Sequence, residues 1–387
     1  MNEPKKNGAD PNYHYPVRPE NTMPAHHMRL GEGVISGNIS LILGFLSLLA
    51  VFAYLFPSYL TTKELRAAYD AEVLQEVLKY GMYASIGFGL MSLVLGKQKL
   101  PAILGLTMTI SAFALGGYLI PVGAVPVREI TLGVDWLILA FLISAPLFIF
   151  LEKVFPLHKG QAILRPDWGL DFKYFCFNHL LISTLLFLSN AFISQSVGWV
   201  DSETLHRVVA QWPLWVQVAV LILAADFVLY VTHRVFHEIP WLWKIHAVHH
   251  STKYMDWMSG SRGHVLNTII ERCLVLVPLY LLGATKEALD IYVTIAAIQA
   301  VYIHTNANIP IGPLKYLIVT TQYHHWHHST QRPAIDTNYC AHTPLFDWIF
   351  GTRHMPFLHW PAFYGASGGV PENMRGQLMH PFKRDKE

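Results

Sequence analysis

Histidine carries the chemistry of this chain. There are 21 histidines, and eleven fall between His233 and His328. The first cluster is His233-Arg-Val-Phe-His237. On a helix, residues i and i+4 share a face, so these two imidazoles can grip one ion. In the second, His246-Ala-Val-His249-His250, His246 shares a face with both later rings. The third, His324-His325-Trp326-His327-His328, repeats that spacing at His324, His327 and His328, while His325 points elsewhere. His264 and His304 stand singly. Clustered buried imidazoles repel when protonated, and unpaired polar groups near lipid are expensive. A metal held by neutral imidazole removes both difficulties.

The donor set narrows the metal. Imidazole suits zinc, copper, iron and nickel. A structural zinc takes four ligands, and more histidines than that converge here, enough for two ions. Cys176, Cys273 and Cys340 form no pair motif and read as reduced, buried thiols, so no thiolate site is indicated. Arg234 follows His233 where a zinc protease would have its glutamate. Haem needs only one or two axial histidines. Redox-active iron working with oxygen fits best.

Residues between the clusters suggest supporting roles. Asp226 precedes His233 by two helical turns inside an apolar stretch. Either it accepts from a ligand histidine, fixing its tautomer, or it makes a helix-packing hydrogen bond. Asn308 follows His304 by four residues and is either metal-facing or an ordinary loop asparagine before Pro310. Asp336 and Asn338 follow the third cluster and are expected to orient its rings. Phe346-Asp347-Trp348 reads as a packing motif. Tyr254, Trp257, Phe357 and Trp360 suit either a lipid groove or an interfacial belt.

These residues need a scaffold in lipid. The 387 residues are 52% hydrophobic and only 14% charged, against about 25% charged in soluble domains. A net charge of +2 implies no nucleic-acid partner. Apolar runs predict spans near Val34–Phe56, Tyr80–Leu95, Pro101–Ile120, Val134–Leu151, Tyr174–Phe192 and Leu214–Thr232. Two shorter runs, Leu266–Leu282 and Ala288–Ile303, form either spans or a hairpin that dips in and returns.

With a cytoplasmic N-terminus, Lys5, Lys6, Arg18, Arg29, Lys97, Lys99, Lys153, Lys159, Arg165 and Lys173 lie inside. Lys63, Arg66, Lys79, Arg128 and Arg207 lie outside. Every histidine cluster then reaches the cytoplasmic face, of a bacterial inner membrane or the endoplasmic reticulum. The expected architecture is all-α: a polytopic transmembrane bundle capped by a histidine-rich helical di-metal domain. Residues 1–32 read as a flexible polar tail, 33–155 as a four-span region, and 156–387 as the catalytic region.

The succession His-x3-His, His-x2-His-His, a lone histidine and a second His-x2-His-His resembles the fatty acid hydroxylase and sterol desaturase superfamily. The likeness runs from about Leu164 to Met355. It is strongest at Asp226–Arg234, His249-His250-Ser251, Ser259–His264, Ile303-His304 and His324–Thr352. The resemblance implies a di-iron centre, oxygen as co-substrate, and hydroxylation or desaturation of a lipid C–H bond. Carried over position by position, the ligands are His233, His237, His246, His249, His250, His264, His304, His324, His327 and His328. Some members have histidine where this chain has Asn308.

No flavin or haem motif is visible, so two electrons must come from a separate donor such as a cytochrome b5-type protein or a ferredoxin. The substrates compatible with the resemblance are a sterol, fatty acyl chain, sphingoid base, ether lipid or carotenoid. A metal transporter is the principal rival, and an inactive relative is a further one. A transporter would line a path with acids inside the spans, where only Asp226 and Glu271 lie.

Overall fold

The computed structural model describes residues 33–383, apart from 67–68, 97–98, 123–127, 129, 201 and 357–358. The N-terminal tail, Lys97, Phe357 and residues 384–387 lie outside the described residues. No strand forms among those described, only two isolated bridges. The helices that matter here are α1 (Val34–Leu55), α2 (Ala71–Leu95), α3 (Leu100–Ala114), α4 (Val134–Val154), α5 (Trp168–Leu180) and α6 (Ile182–Ser196). They continue as α7 (Leu214–Glu238), α8 (Pro240–His250), α9 (Val265–Leu282), α10 (Lys286–Tyr302), α11 (Thr321–His327) and α12 (Leu345–Ile349).

Six helical segments are long and apolar enough to cross a membrane, or up to seven if the bent pair α5–α6 counts as one. This is the make-up of an integral membrane protein. α2 begins well before the expected Tyr80, because Asp70 caps it by accepting from the Glu72 and Val73 N–H groups. α3 stops at Ala114, where Gly116 and Gly117 take positive φ of 113° and 56° and turn the chain into a short 3-10 helix. The single span expected over Tyr174–Phe192 is two helices bent by 53°. α9 is one of these six, whereas α10, at 17 residues, is not.

α1, α2 and α3 pack through small residues. A side chain on Gly44 would strike the Gly105 carbonyl, and one on Gly105 would strike the Ser40 backbone. In lipid such contacts are favourable, since close backbones supply dispersion and polar contacts where no hydrophobic drive exists. Ser85 Oγ donates to the Ser40 carbonyl at 3.0 Å and lies 2.7 Å from Thr109 Oγ1. Outward positions such as Ile110, Ile143, Phe150 and Val293 are exposed and apolar, suited to acyl chains.

α4 joins the two halves of the molecule. One face contributes Val134, Leu137 and Ile138 to a core shared with α1, α2 and Phe175 of α5. Further along, Ala145 and Phe148 pack on Trp257 and Met258. Trp257 is therefore buried, with Phe141 and Phe175 rings against it, and neither walls an open groove nor sits in an interfacial belt.

Candidate metal centre

Four short segments deliver the histidines. α7 continues past the expected Thr232 to Glu238, so His233 and His237 lie one turn apart on its last two turns. Pro240 opens α8, which carries His246, His249 and His250. His304 follows the end of α10. The Thr320 hydroxyl caps α11 by accepting from Tyr323 N–H, setting the turn that carries His324, His327 and His328.

The rings gather in two groups. His233, His237, His246, His250 and His327 form one, and His249, His304, His324 and His328 form the other. Within each group one nitrogen per ring lies within 4.8 Å of all the others. The groups adjoin: the rings of His250 and His328 stack at 4.4 Å, and those of His250 and His327 lie 4.6 Å apart.

The outward hydrogen bonds decide what the inward nitrogens can do. His233 Nδ1 donates to the Tyr339 carbonyl, His249 Nδ1 to Arg262, His304 Nδ1 to Ala300 and His327 Nδ1 to Thr337, all at 2.8 Å. A carbonyl oxygen can only accept, so each ring carries its proton on Nδ1 and turns an Nε2 lone pair inward. His249 Nε2 and His304 Nε2 then face each other at 3.2 Å, lone pair to lone pair. His233 Nε2 and His246 Nε2 stand 2.9 Å apart, with His246 Nδ1 2.9 Å from Asn267 Oδ1. His237 Nε2, His250 Nε2 and His327 Nε2 are buried with no partner. Converging lone pairs repel one another but suit a cation, so the residues present fit two metal ions.

Burial keeps these rings neutral. It pushes His249 down to about 4. It also holds His246, His250, His304, His324, His327 and His328 well below the ordinary range, with mutual repulsion adding to the shift. A depressed pKa in the fold means that the unfolded chain binds more protons below about 6.5. Stability from these groups is therefore full above that pH and lost as pH falls through the folded values. Metal-stripped protein in detergent should melt at progressively lower temperature from about pH 6.5 towards pH 4. A melting temperature flat across that window would contradict the buried, neutral cluster.

One loop holds three ligands of the first group. Asp336 and Asn338 both take left-handed backbone, at φ 58° and 60°. That geometry sends Asp336 Oδ1 to within 3.3 Å of His237 Nδ1 and turns the carbonyls of Thr337 and Tyr339 onto His327 and His233. The Asn338 side chain touches no histidine ring. Its amide donates to the Tyr323 and His354 carbonyls at 3.1 and 2.7 Å, and its oxygen accepts from His354 N–H.

Three expected site residues sit elsewhere. Asp226 reaches no ligand ring: its carboxylate accepts from the Ala341, His342 and Thr343 N–H groups and the Thr343 hydroxyl, at 2.8 to 2.9 Å. His264 caps α9, its Nδ1 accepting from Leu266 N–H at 3.1 Å and its Nε2 donating to the Leu378 carbonyl at 3.0 Å. Both nitrogens are thereby used, and no lone pair remains for a metal. α10 ends at Tyr302, so no helical turn carries Asn308 to the face of His304, and it lies exposed in a loop. His325 contacts the Tyr364 hydroxyl and the Thr305 carbonyl instead of the cluster.

Other contributors were not singled out from the sequence. Asn267 holds His246, and its signal was an amide near the start of an apolar helix. Asp347, assigned to packing, accepts from the Tyr339 and Cys340 N–H groups and from the Tyr323 and Thr352 hydroxyls. Arg165 pairs with Asp171 and Asp256 at 2.6 and 2.8 Å. Asp171 also pairs with Arg262, whose carbonyl holds His249. This balanced, buried set fixes the loop before His264.

Fold and site together define a helical membrane protein with two histidine nests at the end of its bundle. Residues 218–352 match the fatty acid hydroxylase family, so this part of the chain is similar to that family. It is 35% identical over 177 residues to the ornithine lipid hydroxylase OlsE of Rhizobium tropici, covering 45% of this chain and 53% of that protein. It is 31% identical over 130 residues to the human alkylglycerol monooxygenase, covering 34% and 29%. A very-long-chain aldehyde decarbonylase of Oryza sativa is 29% identical over 178 residues, covering 41% and 28%. The chain thus spans about half the length of the first of these relatives and under a third of the others. No solved structure matches it significantly.

Proposed function

We propose that this chain is an oxygen-dependent lipid hydroxylase that holds two iron ions in its histidine nests. The observation that carries this reading is the set of Nε2 lone pairs converging in two adjoining groups. His233, His237, His246, His250 and His327 would hold one ion, and His249, His304, His324 and His328 the other. Bound iron would supply the reduction of oxygen that such chemistry requires. The chain's own residues lock the ring tautomers through backbone carbonyls, keep the imidazoles neutral and exclude water by burial. Asp336, whose side chain is 44% exposed, links His237 to the aqueous side.

The balance for hydroxylation is one C–H bond exchanged for C–OH, with oxygen taking two electrons from the substrate and two from a donor and leaving one water. A cytochrome b5-type protein or a ferredoxin would serve as donor. The lysine and arginine distribution favours a cytoplasmic site. The ornithine lipid and alkylglycerol enzymes among the relatives favour a polar-headed acyl or alkyl lipid as substrate. Hydroxylation is preferred over desaturation because these relatives are by name a hydroxylase and a monooxygenase.

Purified protein should contain two irons per chain and consume oxygen when given reductant and a membrane lipid extract. Mass spectrometry of lipids from cells with and without the gene should show a species heavier by one oxygen. Metal flux across vesicles without oxygen uptake would favour the transporter instead. Full iron loading without any lipid product would favour an inactive relative.

A further inference from the structure

The four-helix N-terminal unit lies outside the matched family region, yet one of its acids reaches the loop behind a metal ligand. Glu152, near the C-terminal end of α4, accepts through Oε1 from the Trp257 N–H at 2.7 Å and the Asn306 N–H at 3.0 Å. Asn306 is two residues beyond His304. The segment after α4 then runs beside the same loop. Leu157 N–H donates to the Asn306 carbonyl at 3.0 Å, and His158 N–H donates to Asn306 Oδ1 at 2.9 Å. Asn308 N–H donates to the Phe155 carbonyl at 2.7 Å, and Pro156 bridges Ala307. Together these contacts pin residues 306–308 to the end of α4.

We propose that Glu152 is a positioning residue for His304, and through it for the group His249, His304, His324 and His328. The inference rests on the metal-centre reading above. His304 is the one ligand of either group supplied by this loop, and its own helix has already ended at Tyr302. Its amide and that of Thr305 still reach back to the Val301 and Tyr302 carbonyls, at 3.2 and 3.0 Å, and from Asn306 onward the loop is held from outside. Glu152 gives a single oxygen to two amides from different loops, which fixes Asn306, two residues after His304, relative to the Trp257 turn. That turn leads through Ser259 to Arg262, whose carbonyl orients His249. One carboxylate thus ties together the supports of two facing ligands, His249 and His304. The N-terminal unit is on this view part of the metal centre's frame and not only an anchor.

Glu152→Asp and Glu152→Gln in the full-length chain separate positioning from general packing. Aspartate is one methylene shorter and cannot reach both amides. Glutamine keeps an oxygen at the same distance. Aspartate should weaken binding of one of the two metal ions at least tenfold and give the spectroscopic signature of an isolated ion. Glutamine should stay within about threefold of the parent, since neutral acceptors still satisfy both amides.

Hydrogen exchange at the Asn306 and Asn308 amides should speed up at least tenfold in the aspartate variant, in loaded and metal-stripped protein alike. Parent-like exchange and parent-like metal content in Glu152→Asp would overturn the proposal. A parent chain that binds no metal, with exchange still accelerated in Glu152→Asp, would instead remove the metal-centre reading while leaving the loop-positioning role in place.

Discussion

His249→Ala and His327→Ala are each expected to abolish lipid oxidation, by two orders of magnitude or more, and to remove an ion from the group concerned. Loss of a residue that only orients a ligand already costs about 10–100-fold in affinity or activity, and loss of a ligand costs at least as much. Neither change should harm insertion, because α8 and α11 lie beyond the spanning helices. In the metal-free fold His249→Ala relieves the 3.2 Å contact between two bare Nε2 atoms but loses the bond to the Arg262 carbonyl, so the melting temperature should change little. Metal analysis, oxygen uptake and the melting temperature of stripped protein measure the three effects. Full activity in both variants would remove these rings from the site.

Asp347→Ala should be strongly destabilising although Asp347 touches no ligand ring. Its oxygens accept from the amides of Tyr339 and Cys340 at 2.9 and 2.8 Å, and from the hydroxyls of Thr352 and Tyr323 at 2.7 and 3.0 Å. The hydroxyls can turn to other partners, but two buried amides cannot. The expected loss is roughly 3–5 kcal/mol, from unsatisfied buried donors and the cavity left behind. The damage should spread to the metal, because the Tyr339 carbonyl orients His233. Asp347→Asn keeps one acceptor oxygen and should lose about half as much. Thermal unfolding in detergent, with proteolysis at the 336–352 loop, reads both variants. A parent-like melting temperature for the alanine variant would show that the loop does not need its carboxylate.

Most span positions were legible because runs of apolar residues leave few alternatives in lipid, though not the 53° bend within Tyr174–Phe192. The histidine groups were legible because i, i+3 and i+4 spacing on α7, α8 and α11 puts rings on one face. His264, which stands singly and was counted as a ligand only through the family resemblance, and Asn308, left open between the metal and a loop, needed the structure to place them. His264 had a second use for both its nitrogens, as a cap and as a donor to a carbonyl supplied by residue 378. Asn308 lies in an exposed loop beyond the helix end at Tyr302, the second of its two alternatives. Asp226 shows the deeper limit. Its depth and face were readable, but its partners come from a loop 115 to 117 residues later. No local pattern announces which amides a buried carboxylate will collect. The same holds for Glu152, whose partners lie 105 and 154 residues away.

That separation has a consequence for how the molecule is made. α7 leaves the ribosome with an acid in its middle, and the amides that complete it are still untranslated. At about 5–20 residues per second, the Ala341–Thr343 segment follows some 115 residues later, after a delay on the order of ten seconds. During that interval the carboxyl must be kept neutral, kept wet, or shielded by the insertion machinery. Biogenesis, and not the finished fold, is then the stage at which this helix is most exposed to quality control.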